Sequence, residues 1–275
     1  MKKAYFFIII LFISAAWRAC FAAEDKEAQQ EVQNFSFVQY QDKGAEKWKL
    51  SGRTAQVEDA KVNIEEISLL SFGTAQALKL KAREGSFNKE DSVVHLENNV
   101  VAAATDGTTL STDYLDWNAE TRNAVTDANV NIKRADLDVS GKGAVCNLEE
   151  KTAELKEDIN VSISSPGMDG IGGSDGASRT TITCKGPLEL NYKKNRATFY
   201  NAVKVEDKKG SILADRMDVY FSPDSRRVRW VIAKGNVRII NGENITYSEK
   251  AIYLVEQGRV ILPDRPKLII KNDNQ

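Results

Sequence analysis

The chain has 275 residues, which is enough for one large domain or two domains of ordinary size. Its 38 Lys and Arg residues nearly balance its 39 Asp and Glu residues, so it has no overall basic field and nucleic acid is not an expected partner. A hydrophobic content of 42% is typical of a globular protein and excludes a disordered chain.

Residues 1–23 have the pattern of a targeting segment. Met1-Lys2-Lys3 is followed by an apolar run over 4–17 that is shorter than the roughly 20 residues of a typical membrane span. Three interpretations remain open: a signal peptide cleaved after Ala22 or Ala23, an uncleaved anchor over 4–23, and lipidation of Cys20. All three place the rest of the chain outside the cytoplasm. Residues 24–44 are expected to be a polar linker, with 24–33 as the best helix candidate.

Short alternating runs dominate the chain from Trp48 onward. Leu78-Lys-Leu80-Lys-Ala82 is one such run, and Met217-Asp-Val219-Tyr-Phe221 is another. Apolar residues at every second position indicate strands with one dry face and one wet face. Turn signals such as Asp106-Gly107 and Asn241-Gly242 separate the runs. The sequence therefore predicts an all-β fold.

A short Asn-Val-x-Val motif recurs through the alternating region. The copies begin at Asn99, Asn129, Asn160, Ala202, Asn236 and Arg259, with some variation at the first position. Repetition at intervals of 20–50 residues indicates units that stack on one another rather than closing separate cores. Such a pattern favours a stacked or rolled β-sheet.

The repeat is interrupted at residues 164–178, which are rich in Gly and Ser. Glycine in this number is costly to fix in a strand, so we expect a flexible linker there. The expected organisation is therefore a leader over 1–23, a polar linker over 24–44, a first β-domain over 45–163, the linker over 164–178 and a second β-domain over 179–272.

Residues that could support catalysis or metal binding are scattered. No nucleophile elbow, phosphate-binding loop or paired-histidine zinc motif is present. The one histidine, His95, is expected on the wet face of a strand, and Asp113, Asp116, Asp215 and Asp218 at solvated outward positions. We therefore expect neither an enzyme nor a bound metal or cofactor.

The two cysteines of the body, Cys146 and Cys184, fall one in each expected domain. A disulfide between them and two buried free thiols are both compatible with the sequence, because an exported protein folds in an oxidising compartment. No Cys-x-x-Cys pair indicates zinc or redox chemistry.

Several blocks resemble the LptC family of lipopolysaccharide export. They are Trp48-Lys-Leu50-Ser-Gly-Arg-Thr-Ala55, Leu78-Lys-Leu80-Lys-Ala82-Arg-Glu-Gly85 and Leu96-Glu-Asn-Asn-Val-Val101 followed by Asp106-Gly-Thr-Thr-Leu110-Ser-Thr112. Asn99 stands where that family usually has glycine. The second half, from Asn201-Ala-Val-Lys-Val205 through Gly235-Asn-Val-Arg-Ile239, is similar to the OstA domain of LptA.

The resemblance implies two tandem open, twisted β-jellyrolls of the OstA-like kind, whose apolar interior holds lipid A acyl chains of lipopolysaccharide. It implies a periplasmic location, either free or anchored in the inner membrane by the N-terminus. The implied partners are other lipopolysaccharide-transport proteins, namely the inner-membrane ABC transporter complex and the outer-membrane translocon, which join by edge-strand pairing. Residues 159–164 and 179–184 border the linker, and we expect them to pair with each other.

Alternation predicts which side chains face inward and line the lipid-binding groove. They are Leu80, Leu96, Leu110, Leu115, Val130, Ile132, Leu190, Phe199, Val205, Leu213, Val219, Phe221, Val237 and Ile239. Two other functions fit the repeats: a structural β-solenoid of the cell envelope, which would have a filled core, and a β-helix enzyme that processes polysaccharide, which would need a cluster of carboxylates.

Overall fold

A computed structural model describes residues 30–41, 44–72, 77–135, 137–165, 178–208, 210–223 and 227–269. These residues form β-strands and one short 3₁₀ turn, so the all-β prediction is confirmed. The strands of the described residues are β1 (Gln30–Tyr40), β2 (Glu46–Glu58), β3 (Lys61–Phe72), β4 (Ala77–Asn88), β5 (Val93–Ala104), β6 (Thr109–Asn118), β7 (Asn123–Arg134), β8 (Leu137–Asn147), β9 (Thr152–Ser165), β10 (Ser178–Cys184), β11 (Leu188–Asn191), β12 (Arg196–Asp207), β13 (Gly210–Phe221), β14 (Val228–Asn241), β15 (Asn244–Leu254), β16 (Arg259–Ile261) and β17 (Lys267–Ile269).

The strands form one continuous antiparallel sheet. Consecutive strands pair from β1 to β9 and again from β11 to β16, and β17 pairs with β15 beside β16. The two runs meet at β9, which pairs with β10 and β11, and both of these pair with β12. Ile182 of β10 lies between Val161 of β9 and Val205 of β12. The pairing predicted between 159–164 and 179–184 is confirmed.

The first strand corrects the expectation of a polar linker over 24–44. The described part of that segment includes β1, which pairs with β2 along most of its length, so the helix candidate over 24–33 is wrong for residues 30–33. Phe35 and Phe37 of β1 pack, partly buried, against the hydrophobic core. Two apolar side chains on one face are enough to dock a strand, although the segment as a whole is polar.

The long strands bend near their middles, and the bend explains the repeated motif. Register shifts mark the same point in successive pairs from β4 to β9 and from β12 to β15. The backbone there is left-handed at several residues, with φ of 62° at Asn99, 64° at Asn201 and 48° at Asn236. Asparagine tolerates this region better than most residues. Val100 and Val237, which follow two of these asparagines, are buried, so the motif marks the corner of the rolled sheet.

The inner face of the rolled sheet encloses two hydrophobic clusters. The first runs from Trp48 to Ala119, and the second from Val139 to Ala251. Four rings meet in the first cluster, with centroids 5.3–6.3 Å apart: Phe37, Trp48, Phe87 and Trp117. The first two rings lie on one side of the bend and the other two on the opposite side, so the two walls of the roll touch at this end.

The second cluster also includes residues that precede the segment 164–178, among them Leu155 and Val161. The division of the chain into domains over 45–163 and 179–272 therefore stays a prediction. The leader over 1–23, with Cys20, and residues 166–177 of the expected linker lie outside the described residues. Between residues 30 and 269, the described segments contain no helix with the length and apolar character needed to cross a membrane.

Candidate functional site

Two rows of inward side chains run across the sheet, each member directly paired with the next member on the neighbouring strand. The first inner row is Val57, Val62, Phe87, Val94, Trp117, Ala124, Cys146, Ala153, Leu190, Ala197, Val219, Val231, Tyr253 and Val260. The second inner row is Phe37, Leu50, Leu69, Leu80, Ala102, Leu110, Ile132, Val139, Val161, Ile182, Val205, Ile212 and Ile239. Directly paired residues share one face of a sheet, so both rows cross the junction at β9 without a charged member.

Exposure changes along these rows. In the N-terminal part, Leu69, Leu80 and Val94 are at most 1% exposed. From β7 onward many members are only half-buried: Ile132, Cys146, Leu190, Val205, Ile212, Val231, Ile239, Tyr253 and Val260. Side chains closer to the bend, such as Phe199 and Met217, stay buried at 4% and 2% exposure. The interior is therefore closed near the N-terminus, and in the C-terminal part it is an apolar groove with a packed floor.

The residues predicted to face inward do so, with one exception. Seven are buried, namely Leu80, Leu96, Leu115, Val130, Phe199, Val219 and Val237. Six are partly buried and pack against a core cluster, namely Leu110, Ile132, Leu190, Val205, Phe221 and Ile239. The partly buried residues from β7 onward stay accessible on the inner face, whereas the buried residues belong to its packed interior, and binding of lipid at these positions stays a prediction.

Leu213 is the exception, and its predicted inward orientation is wrong. It is paired with Lys204 and Arg238 on the outer face, while its neighbour Ile212 packs against the core. The register shifts between Leu213 and Arg216, where β12 and β14 each contain one residue more than β13, and the phase of the alternation along β13 changes at this point. Counting back by twos from the C-terminal half of β13 therefore selects the wrong residue.

Several members of the two inner rows are missing from the sequence prediction, among them Ile182, Ile212 and Tyr253. Ile182 was detectable, because Thr181-Ile-Thr183 alternates. Ile212 was hidden by the register shift just described. Tyr253 lies in a run that is apolar on both faces, Ala251 to Leu254, so alternation gave no signal for it.

The ionisable groups of the first inner row are neutral. Burial raises the pKa of the Cys146 thiol to about 11. Burial also raises the pKa of the Tyr253 hydroxyl, and the charge of Asp207 adds to this effect. Neither group gains charge near pH 7.

Cys146 and Cys184 are free thiols, which decides the alternative that the sequence left open. They lie opposite Ala153 and Ile159 of β9. Six residues along a strand correspond to about 20 Å, far beyond the roughly 7 Å limit between the Cα atoms of a disulfide.

A buried charge lies on the outer face, and it corrects the prediction for Asp218. Asp218 is only 1% exposed. Its carboxylate accepts hydrogen bonds from Arg216 Nη2 at 2.8 Å, Lys234 Nζ at 3.0 Å and Thr198 Oγ1 at 3.0 Å. Burial alone raises the pKa of this carboxyl, but the bonds from Arg216, Lys234 and Thr198 outweigh burial and hold the pKa below its ordinary value. Arg216 on the same strand and Lys234 on the neighbouring strand β14 make this burial possible.

The other residues considered for catalysis are at the surface. His95 lies on the outer face, with its side chain 39% exposed and Nδ1 2.5 Å from Asp116 Oδ1. Asp113 and Asp215 are exposed, as predicted. Over the described ranges between residues 30 and 269, no three His, Cys, Asp or Glu side chains gather as a metal site.

A family model described as lipopolysaccharide-assembly, LptC-related, matches residues 4–164. The chain belongs to this family. The LptC-related protein therefore takes part in lipopolysaccharide transport and is associated with the cell envelope. No curated protein matches its sequence. Of the described strands, β1 to β8 lie within the matched region, which ends near the end of β9, while the groove continues into strands beyond it.

Packing explains why residue 85 is glycine in this LptC-related protein. Gly85 is the last residue of a block that resembles the LptC family. It lies in β4 beside the bend, paired with Leu96. A Cβ atom at this position would lie 2.3 Å from the carbonyl oxygen of His95 and 3.3 Å from Ile67. Only glycine allows β4 to lie so close to its neighbouring strand β5 here.

Proposed function

We propose that this protein is a periplasmic bridge component that carries lipopolysaccharide from the inner toward the outer membrane. The lipid A acyl chains lie in the groove between the two inner rows. The observation that carries the proposal is the pair of uncharged rows, many of whose members are only half-buried from β7 onward. Each methylene removed from water contributes about 0.8 kcal/mol, so an acyl chain binds there without any chemical step. The protein is a carrier, not an enzyme.

The second half is proposed to be an LptA-like roll of the OstA kind, fused to the LptC-related half. One chain then supplies two links of the bridge. Its continuous sheet supports this proposal, since strands spaced by about 4.8 Å give a path of roughly 70 Å from β1 to β16. From β7 onward, where the inner face is accessible, the lipid stays within one groove.

Partners are proposed to add strands at the two ends of the sheet. Among the described residues, β1 pairs only with β2, and the far side of β15 is covered by two strands of three residues each. Unpaired N–H and C=O groups on such edges are satisfied by a strand from another protein. The β1 edge faces the inner-membrane ABC transporter complex, and the β15–β17 edge faces the way to the outer-membrane translocon. The leader over 1–23 exports the chain or anchors it in the inner membrane.

A structural role in the envelope is the second candidate, and the closed N-terminal interior favours it. Trp48 and Trp117 are 3% and 1% exposed, and their rings fill the space between the walls. A purely structural solenoid would be filled in this way throughout. The half-buried rows of the C-terminal part are the feature that such a protein does not need.

Crosslinking to lipid tests the carrier proposal. A photoreactive residue is placed at Val205 or Ile239, which line the groove, in cells that make lipopolysaccharide. The matched controls are the exposed outward neighbours Glu206 and Arg238. Adducts that react with an antibody to lipopolysaccharide are expected at the two groove positions and not at the controls. Equal capture at all four positions, or capture at none, would contradict the proposal.

A further inference from the structure

A pocket of about 300 Å³, lined by both polar and apolar groups, lies on the outer face of the sheet, across β8, β9, β11 and β12. Its outward side chains form two paired rows: Val145, Glu154, Glu189 and Thr198 in the first, and Asn147, Thr152, Asn191 and Arg196 in the second. Its volume is at the lower end of the range of about 300–1,000 Å³ for small-molecule sites. The inner face of the same four strands carries part of the first inner row, so the pocket and the groove share one wall.

Two carboxylates in the pocket stand directly opposite each other. Glu154 of β9 is paired with Glu189 of β11, and like charges at such positions destabilise a sheet. Glu189 accepts a hydrogen bond from Tyr200 Oη at 3.0 Å. Glu154 accepts none from the described residues. The pair therefore presents acceptor oxygens that a ligand with hydroxyl groups can satisfy.

Donors stand on the other side of the pocket. Arg196 is half-buried and forms no hydrogen bond or ion pair within the described part of the chain. The Oδ1 atoms of Asn147 and Asn191 accept the backbone N–H groups of Glu150 at 2.6 Å and Lys194 at 2.9 Å. These bonds fix the orientation of both amides, and their NH₂ groups remain as donors.

The back wall of the pocket is held rigidly. Thr198, which is 1% exposed, donates its hydroxyl to Asp218, and Asp218 is in turn held by Arg216 and Lys234. A site whose side chains are already fixed loses little conformational entropy when a ligand binds.

The composition of the pocket decides the class of ligand. Two carboxylates disfavour a phosphate or another anion, and Arg196 disfavours a simple cation. An apolar ligand would leave the polar groups unsatisfied. A saccharide fits, because its adjacent hydroxyl groups both donate to carboxylates and accept from guanidinium and amide groups. We propose that this pocket binds a saccharide. Resting on the proposed carrier function, the saccharide is the core-sugar portion of lipopolysaccharide, which reaches the pocket around the rim of the sheet, where β8 and β11 end and β9 and β12 begin, from acyl chains in the groove.

Binding by the purified full chain tests this site. The probes are deacylated lipopolysaccharide, which has sugars but no acyl chains, and lipid A, which lacks the core sugars. We expect the deacylated probe to bind the parent and to bind E154Q and R196Q about ten-fold more weakly, because each loses a charge-assisted hydrogen bond. The matched control is E157Q, an exposed glutamate on the same strand outside the pocket, which keeps the parent affinity. Lipid A binds all four proteins equally.

The two proposals fail in different ways. If the deacylated probe does not bind the parent, or binds E154Q and R196Q as well as it binds the parent, the saccharide site is wrong. Binding that is abolished by a chelator of divalent cations would also overturn it, in favour of a cation held by the two glutamates. If lipid A fails to bind while the deacylated probe binds, the carrier function is wrong and the saccharide site stands. Circular dichroism shows whether each variant is folded.

Discussion

The carboxylate of Asp218 is buried on the outer face, and its partners reach it from both neighbouring strands. Replacing Asp218 by Asn removes the charge that Arg216 and Lys234 share. Both cations are partly exposed, with side-chain exposures of 36% and 44%, so water recovers part of the loss. We expect the free energy of unfolding to fall by about 2 kcal/mol, measured by urea denaturation. Asp113→Asn, at an exposed position, is the control and should change stability by less than about 0.5 kcal/mol.

The same variant has a distinct pH dependence. The pKa of Asp218 is lowered in the folded protein, so its contribution to stability is complete above the ordinary carboxyl pKa of about 4 and is lost as the pH falls through the lower folded pKa. Between pH 5 and pH 3 the parent should therefore lose more stability than the Asn variant. If the free energy of unfolding of the two proteins changes with pH in the same way, Asp218 is not the charged group that binds Arg216 and Lys234.

Alternation identified the inward residues within each stretch of strand between register shifts, as for Leu80 and Val219. It failed at Leu213, because a register shift is set by the pairing of two strands and one strand's sequence does not show it. The burial of Asp218 was also invisible, since it depends on Arg216, which is close in sequence, and on Lys234, which only the register brings near. Local patterns thus predict which face of the sheet a side chain lies on, whereas a prediction of contacts between strands requires their pairing register.

The bends in the strands depend on residues that accept a left-handed backbone. Asn99 has φ of 62° and is exposed, so its side chain contributes little else. Asn99→Gly should leave the free energy of unfolding nearly unchanged, because glycine adopts this conformation without strain. Asn99→Val should lower it by about 1–3 kcal/mol, because a β-branched residue is strained there. Thermal unfolding of both variants checks this. If the two are equally stable, the left-handed backbone at position 99 does not constrain the choice of residue.

At the level of elements, the repeat in the sequence predicted a stacked or rolled sheet, and the structure agrees. The first strand of the sheet was harder to predict from the sequence. The strand β1 is rich in Gln, Glu and Asn, and only Phe35 and Phe37 mark its buried face, so its composition resembles a linker. The pairing of β9 with β10 was predicted from their position beside the glycine-rich segment. The additional pairing of β9 with β11 was not, because a strand of four residues leaves almost no pattern in a sequence.

For the whole molecule, the closed and open parts of the interior imply different tasks. Aromatic rings fill the N-terminal part, which the family model matches, while the accessible groove begins near β7 and extends beyond the matched region. Under the proposed function, the closed part has to open, or to hand lipid over along its edge, before the groove is loaded. The inner rows are continuous across the junction, so no barrier of charged side chains separates the two parts.

The junction at β10 decides whether the groove acts as one unit. Ile182 is 7% exposed between Val161 and Val205, in a strand that is paired on both sides. Ile182→Pro removes a backbone donor from this ladder and should cost about 3 kcal/mol locally, while β11 still links β9 to β12. We expect faster hydrogen exchange in β9 and β10, unchanged protection in β4 and β14, and a broader distance distribution by small-angle scattering.

Ile182→Val is the control for this variant, because it keeps the backbone donor and should leave the scattering of the parent unchanged. The parent itself should scatter as one elongated body. If the parent already behaves as two independently tumbling bodies, the continuous groove is wrong, and lipid would pass between the halves only when other bridge proteins align them. If the proline variant exchanges hydrogen at β9 and β10 as slowly as the parent, β10 is not the element that joins the halves, and the link through β11 is sufficient.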